Sequence, residues 1–590
     1  MSLKTQTVPA AGSKPSTAPI ITTNMPKPDG IRDTIESIVV AFILAFVFRA
    51  FVVEAFVIPT GSMAPGLYGK HVQHRCALCN YPFAYGVTES QRDPQNNVIR
   101  PGTLEAGSYY VRCPNCGWAG EGNNRLNGAD SRAVGDPGDR ILVLKWPYDI
   151  GGDLLGPKRW DVVVFKDPED GETNFIKRLI GLPGEVLEII DGDIYTARAA
   201  DVPKDILEAL SAPPPPNNPE FRRLSEEQHA RLAKVLKIQR KTRIAQDSLW
   251  MIHYDNDFRP DLRKAGGQYN YVPPLWRPMG GENGTGWDVS TPLARFSPST
   301  DKEQWLELIG RPIQDNYGYN DVNRIPANAV NVGDVRLRFV LTPGDLRTGA
   351  GSESAFVELI LKKGEDEFRT RISADGTVTL DRPRARGVMD RLERGKTDPL
   401  QTGKPLQIEY ENLDYRVALR INSEEVIATK DSDYAPNLSR LLDGQYRDGR
   451  DDLASVRIGA RNIGLEIRHL AVHRDVFYRS ECELDGITMM GRSNPYGRYP
   501  GWGTARNPIY LRSSPPDYFV CGDNSPQSKD ARLWFEVCSI LRDRGDYQYG
   551  TVPGDQMIGR AFFVYWPSGF RFSQDTLGII PNVGRMRIIR

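Results

Sequence analysis

From Ile35 to Val53 the chain is apolar on every face apart from Glu36, Ser37 and Arg49. Such a pattern predicts a helix surrounded by apolar matter, not one with a wet side. A bilayer crossing takes about 20 residues, so 35–54 reads as a marginal transmembrane helix, with Arg49 snorkelling to the interface and Phe48 and Phe51 at headgroup level. A buried core helix is the bland alternative. A cleaved signal peptide fits poorly, because the polar leader is long and no small-x-small site follows. The leader, 1–34, is rich in Pro, Thr, Ser and Ala and reads as disordered. Its lysines (Lys4, Lys14, Lys27) place it in the cytoplasm and everything after the helix outside.

Downstream the period changes to two. Arg140–Trp146 and Asp161–Lys166 are short apolar runs bounded by Gly, Pro and Asp, as buried strands are. Asn174–Ile180 is a third strand that ends in a Pro183-Gly184 turn; its alternation sets Lys177 on one face and Arg178 on the other, so that one of the two is a candidate for burial. Within 201–500, Pro213–Pro216 reads as a stiff spacer and Ser225-Glu226-Glu227-Gln228 as a capping box before an amphipathic helix carrying Leu232, Val235, Leu236 and Gln239. Then Val335–Leu341, Leu406–Tyr410, Tyr415–Ile421 and Leu465–Arg468 alternate apolar with charged, and Asp375-Gly376 marks a hairpin. This predicts a β-sandwich of jelly-roll type, vaguely similar to concanavalin-like sugar-binding sandwiches in strand pattern alone. Trp250, His253, Asp255, Asn256 and Asp257 read as a capped strand end, with a ligand or calcium site as the alternative.

Length and charge narrow the function. At 590 residues the chain holds three or four units. Its formal net charge is zero, which argues against a nucleic-acid partner. Four of seven cysteines form two Cys-x-x-Cys pairs, Cys76/Cys79 and Cys113/Cys116, inside a loop-rich stretch at 71–134. Two such knuckles are the signature of a zinc ribbon, whereas the extracytoplasmic side expected for this stretch favours two disulfides. A structural metal is the favoured reading, because a residue pair three apart in a turn is better placed to chelate than to bridge internally. A four-cysteine sphere is closed, so a metal there would be structural.

Candidate chemistry gathers at Pro59-Thr60-Gly61-Ser62-Met63, directly after the apolar helix. A serine in a turn is weak evidence by itself. None of the six histidines lies in a comparable turn or strand context, so a nucleophilic Ser62 needs another base. Lysine serves when desolvation lowers its pKa, and Lys177 has the apolar neighbours for that.

These segments resemble the bacterial type I signal peptidases. Ile58–Leu67 is similar to the family's Ile-Pro-Ser-Gly-Ser-Met-x-Pro-Thr-Leu box, Gly138–Tyr148 to Gly-Asp-x-Ile-x-Val-x-Lys, Arg159–Glu185 to the lysine box, and Gly522–Trp534 to Gly-Asp-Asn-x-x-x-Ser-x-Asp-Ser-Arg-x-Trp. The resemblance covers about a third of the chain. It implies a mainly β catalytic fold assembled from 55–70, 135–200 and 501–590, interrupted by the cysteine insert at 71–134 and the larger insert at 201–500. It implies Ser62 as nucleophile and Lys177 as general base, with no cofactor for catalysis. Ser528 would orient the lysine amine, and Thr60 stands where the family has a serine whose hydroxyl joins the backbone N–H of the nucleophile in the oxyanion hole. Asp530 and Arg532 would brace the loop; Ala531 and Ser525 depart from the usual serine and arginine. The implied activity is removal of signal peptides from exported precursors by an enzyme anchored once in the cytoplasmic membrane. Substrates would bind as extended strands along a groove formed by Phe56, Val57 and Ile58, with small residues at the first and third positions before the cut. The expected partners are signal peptides, membrane lipid, and a carbohydrate or protein ligand of the larger insert. A membrane-tethered binding protein with an inactive protease core is the competing reading, and a repressor-type Ser-Lys autoprotease a third.

Overall fold

In the computed structural model, the structure describes residues 30–86, 91–92, 98–100, 110–121, 136–150, 152–212, 224–264, 272–279, 286–320, 329–384, 388–443, 447–480, 501–569 and 582–589. The leader up to residue 29 and the proline spacer lie outside them. The chain divides into two units, 1–52 and 53–590.

The first unit holds helix α1 (Gly30–Phe51), on which Ile38, Phe42, Leu44 and Phe46 are exposed. The predicted span of 35–54 is corrected at both ends. The helix begins at Gly30 and stops at Phe51, because Val53 and Glu54 find main-chain partners in a sheet instead. Among the described residues no helix is long and apolar enough to cross a membrane.

The second unit is mainly β. One part of it is built on β1 (Val53–Val57), β2 (Arg140–Leu144), β3 (Val162–Lys166), β4 (Asn174–Gly181), β5 (Glu185–Ile190), β6 (Asp193–Arg198), β7 (Asp517–Cys521) and β8 (Met557–Trp566). One antiparallel sheet runs β1-β2-β8-β3-β4-β7 and ends on Val552–Pro553; a second places β6 and β5 between Lys237–Ile238 and Ile509–Tyr510. Thus β4 and β7, more than 300 residues apart in sequence, are hydrogen-bonded neighbours. The apolar runs read from sequence bury as expected: Val163, Phe165, Leu179 and Ile180 join Phe519, Val520 and Trp534 in one core.

Between β6 and β7 two larger antiparallel sheets share an apolar core. Val335–Leu346, Leu406–Leu413, Arg416–Ile421 and Ile463–Arg474 belong to one; Phe356–Lys363, Asp366–Ser373, Thr377–Pro383 and Ala454–Arg461 belong to the other. Leu337, Phe339 and Leu341 point into the core while Arg338 faces water, as period two requires. The Asp375-Gly376 turn joins two paired strands, with Gly376 at φ 86. The Ser225 capping box closes in both directions, but its helix ends at Ala233, short of Val235, Leu236 and Gln239. The Asp255 side chain accepts from the Asp257 N–H and starts a short 3-10 turn, which is the capped-strand reading.

Asp193 on β6 lies with Asp334 and Asp414 of the larger sheets, their carboxylate oxygens within 4.8 Å of one another. Buried lysines occupy the positions a cation would take: Lys363 Nζ is 2.8 Å from Asp334, and Lys241 Nζ is 2.9 Å from Asp414 and 2.7 Å from Asp475. These ion pairs all lie within 201–500, and the Asp193 carboxylate of β6 is buried beside them.

Candidate active site

The turn that carries Ser62 follows β1. The Ala64 N–H donates to the Gly61 carbonyl at 3.0 Å and the Leu67 N–H to Met63 at 2.8 Å, closing a tight coil over residues 61–67. Met63 and Leu67 anchor it in a core with Ile58, Ile141 and Val143. Ser62 is therefore held from beneath by its apolar neighbours and is itself only 7% exposed.

Lys177 approaches from β4, 115 residues away, and its Nζ lies 2.6 Å from Ser62 Oγ. Among the described residues the Ser62 hydroxyl bonds to this amine and to no histidine. Sequence alternation offered burial to one of the two cations on β4; both are buried. Their environments differ. Arg178 forms a bidentate pair with Asp523 at 2.7 Å on each arm and stays charged. Lys177 has no ion pair within 4 Å among the described residues and lies 5.3 Å above the Phe175 ring. Burial dominates, only partly offset by Asp530 and Asp167, and lowers its pKa to about 8.

The remaining predicted residues fall around this pair unevenly. Asp530 and Arg532 are fully buried and doubly bonded, Nε to Oδ1 at 2.8 Å and Nη2 to Oδ2 at 2.7 Å. The Gly522 N–H donates to Asp530 at 2.9 Å, and Arg532 reaches the Ser525 hydroxyl and the Arg479 carbonyl. Burial works against the Asp530 charge, but Arg532 outweighs it and holds the carboxyl below its usual range. Ser525, standing where an arginine was expected, is thus an acceptor for Arg532. Ser528 is buried, and among the described residues its hydroxyl has no hydrogen-bond partner, so its bond to the lysine amine is absent here. It packs on Gly522, where a Cβ would strike both Ser528 Oγ and the Ser62 carbonyl oxygen. Thr60 is exposed, two residues before the nucleophile. Of the expected groove residues, Val57 is exposed, whereas Ile58 is 2% exposed and turned into the core, so it lines no groove.

Sequence reasoning gave no role to Asn524, Tyr319 or Asn320. The Asn524 N–H donates to the Ser62 carbonyl and its side-chain amide to the Gly61 carbonyl, both at 3.0 Å. Asn524 stands inside the Gly522–Trp534 box, where its neighbours Gly522 and Asp523 made it findable. Tyr319 and Asn320 come from the large insert and carry no local signal.

The four cysteines do converge. Their sulfurs lie within 4.8 Å of one another, with Cys76 to Cys116 at 3.7 Å and Cys79 to Cys113 at 3.6 Å, and no disulfide joins them. A regular tetrahedron about a zinc with ~2.3 Å bonds has edges of about 3.8 Å, so the cage fits such an ion. Both knuckles fold alike. The residue after the second cysteine turns left-handed (Asn80 φ 62, Gly117 φ 76), and its N–H donates back to the carbonyl of the first cysteine.

Comparisons with known proteins point to one enzyme family for part of the chain. A sequence model of the family described as signal peptidase, peptidase S26 matches residues 127–267 and 512–566, which include Lys177 and Ser528. Signal peptidase I of Buchnera aphidicola subsp. Baizongia pistaciae is 40% identical over 80 residues, 12% of this chain and 25% of that protein. Signal peptidase I of Rickettsia typhi is 54% identical over 39 residues, 7% and 15% of the two chains, and that of Pseudomonas fluorescens 43% over 60 residues, 9% and 21%. The chain thus spans a quarter or less of the relatives it matches. Among solved structures, a Bacillus subtilis carbohydrate-binding module, CBM66, aligns with 33% of this chain and 94% of its own at TM-score 0.21 and 10% identity. That likeness carries no argument about a ligand. Over residues 127–267 and 512–566, which carry Lys177 and Ser528, the chain is similar to the family described as signal peptidase, peptidase S26.

Proposed function

We propose that this chain is a membrane-anchored serine endopeptidase that removes signal peptides from exported precursors through a Ser62–Lys177 acyl-enzyme. The observation that carries the reading is the buried Lys177 amine 2.6 Å from the Ser62 hydroxyl, with no carboxylate paired to it among the described residues. Neutral Lys177 takes the Ser62 proton, and the alkoxide attacks the scissile carbonyl. The oxyanion is received by the Ser62 N–H and the Thr60 hydroxyl; losing one such donor costs about a hundredfold or more. Lys177 returns the proton to the leaving amine, and water then releases the acyl group from Ser62. The Ser528 hydroxyl, buried beside this site, is free to orient the amine during these transfers. Substrate lies as an extended strand beside β1, which ends its sheet and presents Val57. α1 is the anchor: Ile38, Phe42, Leu44 and Phe46 on it are exposed and apolar, and Ser62 follows its last residue by eleven positions. Incubation of purified protein with an exported precursor tests the reading: wild type cuts after a small residue and Ser62→Ala does not. Equal cutting by both would end it.

The lowered lysine pKa fixes the pH dependence. The base works only when neutral, so log(kcat/KM) should climb with unit slope below pH about 8 and level above it. A limb centred near 6.5 would instead indicate a histidine base.

The Cys76/Cys79/Cys113/Cys116 cage is proposed to hold one structural zinc. Metal analysis should find about one zinc per chain, and stripping it should lower the temperature at which the insert becomes protease-sensitive. Two disulfides and no zinc by mass would contradict this.

A further inference from the structure

In the large insert, outside both segments matched by the family model, Tyr319 lies against Gly61 of the Ser62 turn, while Tyr317 and Asn320 bond to Asp523 and Asn524 beside it. Asn320 Nδ2 donates to Asn524 Oδ1 at 2.7 Å, and Asn524 Nδ2 donates back to Asn320 Oδ1 at 2.8 Å. The same Asn524 nitrogen donates to the Gly61 carbonyl, which fixes the orientation of both amides, since only the nitrogen end can face a carbonyl oxygen. The Tyr319 hydroxyl donates to the Lys70 carbonyl at 3.0 Å, and its ring lies so close to Gly61 that a Cβ there would strike it. Behind them Tyr317, 4% exposed, donates to the Asp523 carbonyl at 3.2 Å.

The Gly61 carbonyl and the Ser62 N–H belong to one planar trans peptide, pointing in opposite directions. Holding the carbonyl therefore aims the N–H. In the reading above that N–H is an oxyanion donor, and the present inference rests on that reading. We propose that Asn320, acting through Asn524, is a positioning residue that orients the Gly61–Ser62 peptide, so that the large insert is a working part of the catalytic centre. The insert's Tyr319 ring bars any side chain at position 61 and so keeps the turn open to that clamp. A misaimed donor weakens transition-state binding and leaves substrate docking untouched, so the effect belongs in kcat.

The test is a set of four full-length proteins, wild type, Asn320→Ala, Asn524→Ala and the double variant, assayed on a peptide substrate with Ser62→Ala as control. Asn320→Ala should lower kcat about tenfold with KM and the pH midpoint unchanged. Adding it to Asn524→Ala should cost little more, because one acts through the other. If Asn320→Ala misfolds, Asn320→Asp, equal in size and lacking the donor, should show the same non-additive loss of kcat. Unchanged kcat, a loss confined to KM, or losses that multiply would overturn the proposal. Its failure is distinct from that of the dyad: an active wild type, a dead Ser62→Ala and an unaffected Asn320→Ala sink only the role of the insert.

Discussion

Lys177→Met is expected to abolish precursor cleavage, by roughly 10⁴-fold in kcat, while leaving the protein folded. The two effects separate because of where the amine lies. Lys177 is 4% exposed, and burial pulls its pKa down to about 8. A methionine of similar length fills the same space without a charge to desolvate, so stability holds or rises. Cleavage fails because, among the described residues, Lys177 is the base bonded to the Ser62 hydroxyl. Steady-state rates beside a thermal unfolding scan check both halves. A variant that unfolds, or one that keeps within tenfold of wild-type kcat, contradicts the assignment.

Asp530→Ala should be the most damaging change to stability around the site. It leaves the Arg532 guanidinium, fully buried, without its carboxylate and frees the Gly522 N–H. Breaking a buried pair from one side costs about 3–5 kcal/mol. The sign is diagnostic when both partners are changed: Asp530→Ala with Arg532→Met removes the stranded charge and should recover much of the loss. Denaturant midpoints for the single and double variants measure this. A double variant less stable than Asp530→Ala would mean that Arg532 acts chiefly through Ser525 and the Arg479 carbonyl.

What sequence reveals here depends on how local the physics is. The Ser225 capping box, the Asp375-Gly376 turn and the two cysteine knuckles are each decided within a few residues, and each formed as read. The alternation in Val335–Leu341 reports one dry and one wet face and needs no partner to be legible. On β4, alternation separated Lys177 from Arg178 correctly but undercounted burial, because the partner that neutralises Arg178, Asp523, lies 345 residues away. The apolar run suggested a helix to residue 54, yet Val53 and Glu54 pair with Leu144 and Val143 in β2, and a β ladder claimed them. The family resemblance of the Gly522–Trp534 box implied Asp530 and Arg532; Asn524 stands in the same box, but its role depends on meeting Gly61. Tyr319 and Asn320 were illegible for the same reason, since nothing in an insert's own sequence says which turn elsewhere it will touch.

The central claim is covalent chemistry at Ser62, and one measurement addresses it directly. Wild-type protein and Lys177→Met are mixed with an ester substrate carrying small residues before the scissile bond, quenched in acid during turnover, digested and examined by mass spectrometry. The account predicts an acyl mass on the peptide containing Ser62 in the wild type and none in Lys177→Met. Turnover with an unmodified Ser62, or an acyl group on another residue, would contradict it.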